Sequence, residues 1–126
     1  MRGRSIRPQT APCDLLFTLS AGKIPSIGVG DGGNEIGMGC LADLIAQKLT
    51  LIPCVVKVDH PIIATVSNWG GYGLCAAMAG MTGLPLLPSA NEVLDFLQHV
   101  VTVGSVDGVS GLHEPTEDGY SEAVTR

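Results

Sequence analysis

Gly28-Val29-Gly30-Asp31-Gly32-Gly33-Asn34-Glu35-Ile36-Gly37-Met38-Gly39 holds six glycines in twelve residues, with two acids and an asparagine set among them. An apolar run from Ile24 to Val29, broken by Pro25, leads into it, and an amphipathic pattern of helical period leaves it. The stretch reads as strand, turn, helix. Gly30, Gly32 and Gly33 can adopt positive φ and let a ligand approach the backbone closely. Asn34 is the expected N-cap, and the helix behind it would offer N–H groups and the positive end of its dipole. Asp31, Asn34 and Glu35 add side-chain oxygens beside that helix start. The combination suits a metal ion, a charged substrate, or both. The plainer alternative is a tight strand-to-helix turn with ordinary caps.

The whole chain has 126 residues, enough for one domain with a modest core. It is 45% hydrophobic and only 4% aromatic, with 17 glycines, which is a globular composition built on aliphatic packing and turns. A formal charge of −5 argues against a nucleic-acid-binding surface. No apolar run approaches the ~18 residues that span a bilayer, so no membrane role is expected. Cys13, Cys40, Cys54 and Cys75 lack C-x-x-C spacing and sit in apolar surroundings. They read as buried free thiols of a reducing compartment. Residues 1–10 are basic and polar, without the pattern of an intact targeting peptide.

Along the chain, Pro12 and Asp14 open a short helix that Gly22 closes, with Leu15, Leu16 and Leu19 on its apolar face. Ile36, Cys40, Leu41, Leu44 and Ile45 give the helix after the glycine stretch one buried face. Cys54–Val58 and Ile62–Val66 read as a second and a third strand. Ser67-Asn68-Trp69-Gly70-Gly71-Tyr72-Gly73 then repeats the strand, glycine loop, helix pattern. Ser89-Ala90-Asn91-Glu92 is a capping box. The helix behind it carries Val93, Phe96, Leu97, Val100 and Val101 on one face and ends at Gly104. Val106 to Arg126 reads as loop or short strand, then tail. Alternating strands and helices predict a single α/β domain over 1–120, followed by a tail at 121–126. The expected architecture is a mainly parallel sheet flanked by helices, a Rossmann-like three-layer arrangement.

In such a sheet the turns leaving the carboxyl ends of the strands share one edge, where ligands bind. Three turns are expected to converge there: Asp31, Asn34 and Glu35 from the first, Asp59 and His60 from the second, Ser67, Asn68 and Trp69 from the third. Asp31, Glu35 and Asp59 together can hold Mg²⁺ or Mn²⁺. Without a cation, clustered carboxylates can serve as general acid and base. Asp31 and Asp59 can equally be turn caps, and Trp69 can wall a pocket or cover the core rim. Gly28, Gly30 and Gly33 fit G-x-G-x-x-G spacing, but Asp31 sits where a pyrophosphate would lie, so no nucleotide cofactor is expected. The order Asp31-Gly32-Gly33-Asn34-Glu35 is similar to the magnesium loop of haloacid-dehalogenase phosphatases, but the chain has no Asp-x-Asp nucleophile.

Taken together, Gly28–Gly39 (GVGDGGNEIGMG) and Val66–Leu74 (VSNWGGYGL) resemble the signature segments of the D-glutamate cyclase family, in its C-terminal domain. Asp107-Gly108-Val109-Ser110-Gly111, Glu114-Pro115-Thr116 and Asp118-Gly119 resemble the end of that domain. The resemblance runs from Met1 to about Gly119. It implies closure of D-glutamate to 5-oxo-D-proline with loss of water, and a mitochondrial matrix location. It also implies a large N-terminal domain that this chain lacks. Met1-Arg2-Gly3 resembles an internal position, so the expectation is a fragment or short isoform whose activity alone is open.

The closure needs a base for the amine, positive character on the carboxyl oxygens and an acid for the leaving oxygen. Asp31, Glu35 and His60 are the candidates for proton transfer. Gly32, Gly33, Asn34, Ser67, Asn68, Trp69, Gly70 and Gly71 are the candidates for holding substrate. Expected partners are the small-molecule substrate and either a second copy or the absent N-terminal domain. Two rival readings stand beside this one: a metal-dependent phosphoesterase on the same acidic edge, and a non-catalytic ligand-binding or regulatory fragment.

Overall fold

The computed structural model describes residues 7–121; the basic start at residues 1–6 and most of the expected tail, residues 122–126, lie outside the described residues. The chain divides into two compact units, Met1–Gly70 and Gly71–Arg126.

In the first unit, α1 (Asp14–Ser20) begins with an acid at its positive end. Gly22, at φ +72°, turns the chain after it. Strand β1 (Ile27–Gly30) pairs in parallel with β2 (His60–Ile63), Ile27 opposite His60 and Gly30 opposite Ile63. Ladder contacts continue at both ends, from His60 N–H to the Ser26 carbonyl and from Ala64 N–H to the Gly30 carbonyl, at 3.0 and 3.1 Å. The order of elements is mixed α/β and the pairing is parallel, as the alternating pattern implies. The sheet has two strands among the described residues, however, so the three-layer Rossmann-like arrangement is corrected to something much smaller.

The missing strand is Cys54–Val58. It runs extended, but the Val56 carbonyl accepts from both Gly37 N–H and Gly39 N–H at 3.1 Å. Two donors converging on one carbonyl mark a chain that crosses this segment instead of running alongside it. Only isolated bridges result, from Lys57 to Gly37 and Met38.

The glycine stretch is not followed directly by a helix. It doubles back over β1 and reaches α2 (Ala42–Lys48) only through a 3-10 turn at Gly39–Leu41. Glycine is required for this return. A Cβ on Gly28 would lie 2.8 Å from the Ile36 carbonyl oxygen and 3.0 Å from the Gly37 Cα. Gly37 itself sits at φ +108°, where L side chains are strained.

Helix α3 (Ser67–Thr82) starts in the first unit, three residues after β2 hands Ala64 to the ladder. Val66, fully buried, plugs the turn before it. The stretch read as a second glycine loop is therefore the opening of a helix. Gly70 is buried there, and a Cβ on it would stand 2.6 Å from Val29 and 3.4 Å from Ile62, which are paired in the sheet. Its role is to let the helix lie against the strands.

In the second unit α3 continues to Thr82 and Gly83, at φ +71°, ends it. Helix α4 (Ala90–Thr102) has the capping box in full, with Glu92 N–H donating to Ser89 Oγ at 3.3 Å and Ser89 N–H to Glu92 Oε2 at 2.8 Å. Among the described residues the buried apolar side chains are few: Met38, Ile45 and Val66. The apolar face of α1 is open, whereas the faces of α2 and α4 are mostly half-buried, with Ile45 buried and one large side chain on each left exposed. Leu16 and Leu19 of α1 are each 69% exposed, Leu44 of α2 52%, and Phe96 of α4 63%. The four cysteines are free, but Cys13 and Cys40 are exposed and Cys54 and Cys75 half-buried, not buried as expected.

Candidate functional site

The carboxyl end of β1 delivers Asp31 directly to the start of α3. One Asp31 carboxylate oxygen accepts from Ser67 N–H at 2.8 Å and from Ser67 Oγ–H at 2.6 Å. A carboxylate on the first N–H of a 16-residue helix satisfies a donor that has no partner inside the helix, at the positive end of the dipole. The first and second glycine-rich segments therefore meet at one rim, through their polar groups.

Glu35 is held on the same loop. Its carboxylate turns back to accept from Gly32 N–H at 3.0 Å and Gly33 N–H at 2.8 Å. Gly33 is buried at φ +100°, with Ile45 of α2 packed where its side chain would be. The loop's donors are thus satisfied by its own acid. Asn34 is exposed in the loop, eight residues ahead of α2, and is not the N-cap of a helix. Gly32 is half-buried.

On the helix side, Ser67 and Trp69 are half-buried and Asn68 is exposed, all within the first turn of α3. Gly70 is taken up in packing on the sheet, whereas a Cβ on Gly71 would meet nothing within 4 Å.

Asp59 and His60 do not join this rim. They stand at the amino end of β2, which in a parallel pair is the end opposite Asp31, about 13 Å away along four strand residues for His60 and one residue farther for Asp59. Asp59 binds Ser26 there: its carboxylate accepts from Ser26 N–H at 2.8 Å and Ser26 Oγ–H at 2.7 Å. The Ser26 hydroxyl, the Ser26 N–H and the nearby His60 hold the Asp59 carboxyl below its ordinary value. The set Asp31, Glu35 and Asp59 is therefore not assembled as a metal site, and His60 is not placed beside the two acids. Among the described residues no group of three or more His, Cys, Asp or Glu side chains is arranged to hold a metal ion. The expectation failed because the second turn precedes its strand: His60 and Pro61 belong to β2 and do not end the strand before it.

In the second unit Asp107 and Glu117 are buried, in a region whose sequence reads as loop or short strand, then tail. Asp107 is 8% exposed and its carboxylate takes four donors, the N–H groups of Val109, Ser110 and Gly119 and the Thr116 hydroxyl, each at 2.8 Å. The N–H groups of Ser110 and Gly119, with the other two donors, hold it well below the usual carboxylate range against the opposing effect of burial. Glu117 is 4% exposed and accepts from the Tyr72 hydroxyl of α3 at 2.5 Å. Asp107 had a readable signal, an Asp followed by Gly, Val and Ser in the manner of a side chain that binds its own downstream backbone. The Tyr72–Glu117 pair, 45 residues apart in sequence, had none.

Comparison with known proteins gives two matches. A protein family described as "D-glutamate cyclase-like, C-terminal" matches residues 1–124. Human mitochondrial D-glutamate cyclase is 46% identical over 83 residues, which is 61% of this chain and 13% of that protein's length.

Proposed function

The chain belongs to the D-glutamate cyclase-like, C-terminal family, and on that footing we propose that it closes D-glutamate to 5-oxo-D-proline with loss of water. The observation that carries this reading is the Asp31–Ser67 contact, which joins the two glycine-rich segments. Together they bring acids and hydrogen-bond donors to one rim. Asp31 and Glu35 supply negative charge suited to the substrate ammonium. The Asn68 side-chain amide, at the positive end of α3, suits a substrate carboxylate. Holding amine and side-chain carboxyl within reach of each other supplies much of the rate, since ring closure is intramolecular. The proposed location is the mitochondrial matrix, by analogy with the human relative.

A second reading has its own support. The open apolar face of α1, with Leu15, Leu16 and Leu19 exposed, suits burial against further protein, either a second copy or a preceding domain. On this reading the chain acts as one part of a larger enzyme, or binds ligand without turning it over.

Incubation of the chain with D-glutamate, with the product resolved by chiral chromatography, tests the first reading. Formation of 5-oxo-D-proline is the expected result. No turnover, together with tight association of the chain with a separately made N-terminal domain, favours the second. Hydrolysis of phosphate monoesters in Mg²⁺ or Mn²⁺ would instead support a phosphoesterase.

A further inference from the structure

We propose that the Glu35 carboxylate is a built-in occupant of a carboxylate seat, exchanged for the side-chain carboxylate of the substrate when substrate binds; the choice of substrate rests on the cyclase reading above. The seat is the pair of successive N–H groups at Gly32 and Gly33, and it lies wholly in the first unit. One carboxylate oxygen of Glu35 accepts from Gly32 N–H at 3.0 Å and the other from Gly33 N–H at 2.8 Å. Successive N–H groups aimed at one carboxylate form an anion-binding concavity. Glycine clears the space around it. A Cβ on Gly30 would stand 3.0 Å from Glu35 Oε2, and a Cβ on Gly32 would stand 3.0 Å from Glu35 Oε1.

The two halves of this contact are held differently. The donor half is backbone that other bonds fix. The Gly30 carbonyl accepts from Ala64 N–H at 3.1 Å, the Gly33 carbonyl accepts from Cys54 N–H at 3.0 Å, and Ile45 packs against Gly33. The acceptor half is a half-buried glutamate side chain, a type rich in rotamers. The carboxylate can therefore leave while the loop keeps its shape. Glutamate as a substrate carries the same group on a stem of the same length, so the seat that fits Glu35 fits it. Asp31, next to the seat in sequence, is turned to Ser67 instead. The rim thus keeps an acid for the substrate ammonium while the seat takes the carboxylate, and the displaced Glu35 adds a second acid. An internal occupant weakens the apparent affinity for a ligand by the fraction of molecules whose seat is open.

The test titrates glutarate, a dicarboxylate without the amine, into isotope-labelled wild type, Glu35→Ala and Glu35→Gln. Amide NMR shifts are followed, with a thermal unfolding curve for each variant. Shifts at the Gly32 and Gly33 amides are expected in all three proteins. Apparent Kd should fall by about 10-fold or more in Glu35→Ala, and by about 3-fold or more in Glu35→Gln, which loses the charge but keeps the bulk. A gain below about 3-fold in every folded variant overturns the seat, as do shifts that miss Gly32 and Gly33. Unfolding of both variants would mean that the loop depends on Glu35, and also overturns it. Turnover of D-glutamate by the wild type is measured separately. Turnover without the gain in affinity removes the seat and leaves the cyclase reading standing. The gain at these two amides without turnover keeps the seat and overturns the cyclase reading.

Discussion

Gly28–Gly39 and Ser67–Gly73 are alike in composition and opposite in backbone. In the first, glycine supplies conformation: Gly33 and Gly37 take positive φ, and the chain doubles back so closely that the Gly28 and Gly37 backbones touch. In the second, glycine supplies room. Every residue there is helical, and Gly70 exists to bring the helix onto Val29 and Ile62. Glycine density marks a close approach without saying whether loop or helix makes it. The neighbouring acids make the distinction. Glu35 satisfies the donors of a loop, and Asp31 satisfies the first donor of a helix.

Substitutions can break this contrast in graded ways. Gly37→Ala adds backbone strain at φ +108° and a Cβ 3.0 Å from the Gly28 Cα, so urea unfolding should show a loss of about 2–5 kcal/mol. Gly70→Ala places its Cβ 2.6 Å from Val29 in a helix that tolerates alanine, for a smaller loss of about 1–3 kcal/mol. Gly71→Ala, one residue on, meets open space and should gain about 0.5–1 kcal/mol from helix propensity alone. A loss at Gly71 equal to that at Gly70 would contradict the packing account.

The smallest effect concerns the far end of the strands. Ser26 lowers the Asp59 carboxyl below 3.8, so its contribution is present above that pH and is lost as pH falls through the lowered folded value. Wild type and Ser26→Ala should differ by a constant amount in denaturant midpoint above about pH 5 and converge below 3.8.

The legible parts of the fold were those set by local chemistry. The Ser89–Glu92 box, the Asp14 helix start and the Gly22 stop were all readable because their partners lie within four residues. The Asp31–Ser67 meeting was readable too, since parallel strands bring successive carboxyl ends to one edge. Cys54–Val58 was misread because β-branched composition reports extension and not pairing. Asp59 and His60 were misplaced by a shift of strand boundary: β2 begins at His60 in place of Ile62, which carries both residues to the other edge. The apolar faces of α1 and α4 were read correctly as stripes, but a stripe does not say what covers it.

A double-mutant cycle on Asp31→Ala and Ser67→Ala, read by urea unfolding, tests most directly whether the two segments are joined at one rim. The joined rim predicts a coupling of about 1 kcal/mol or more between the two substitutions. Losses that add to within about 0.3 kcal/mol would mean that the two side chains act independently, and would contradict it.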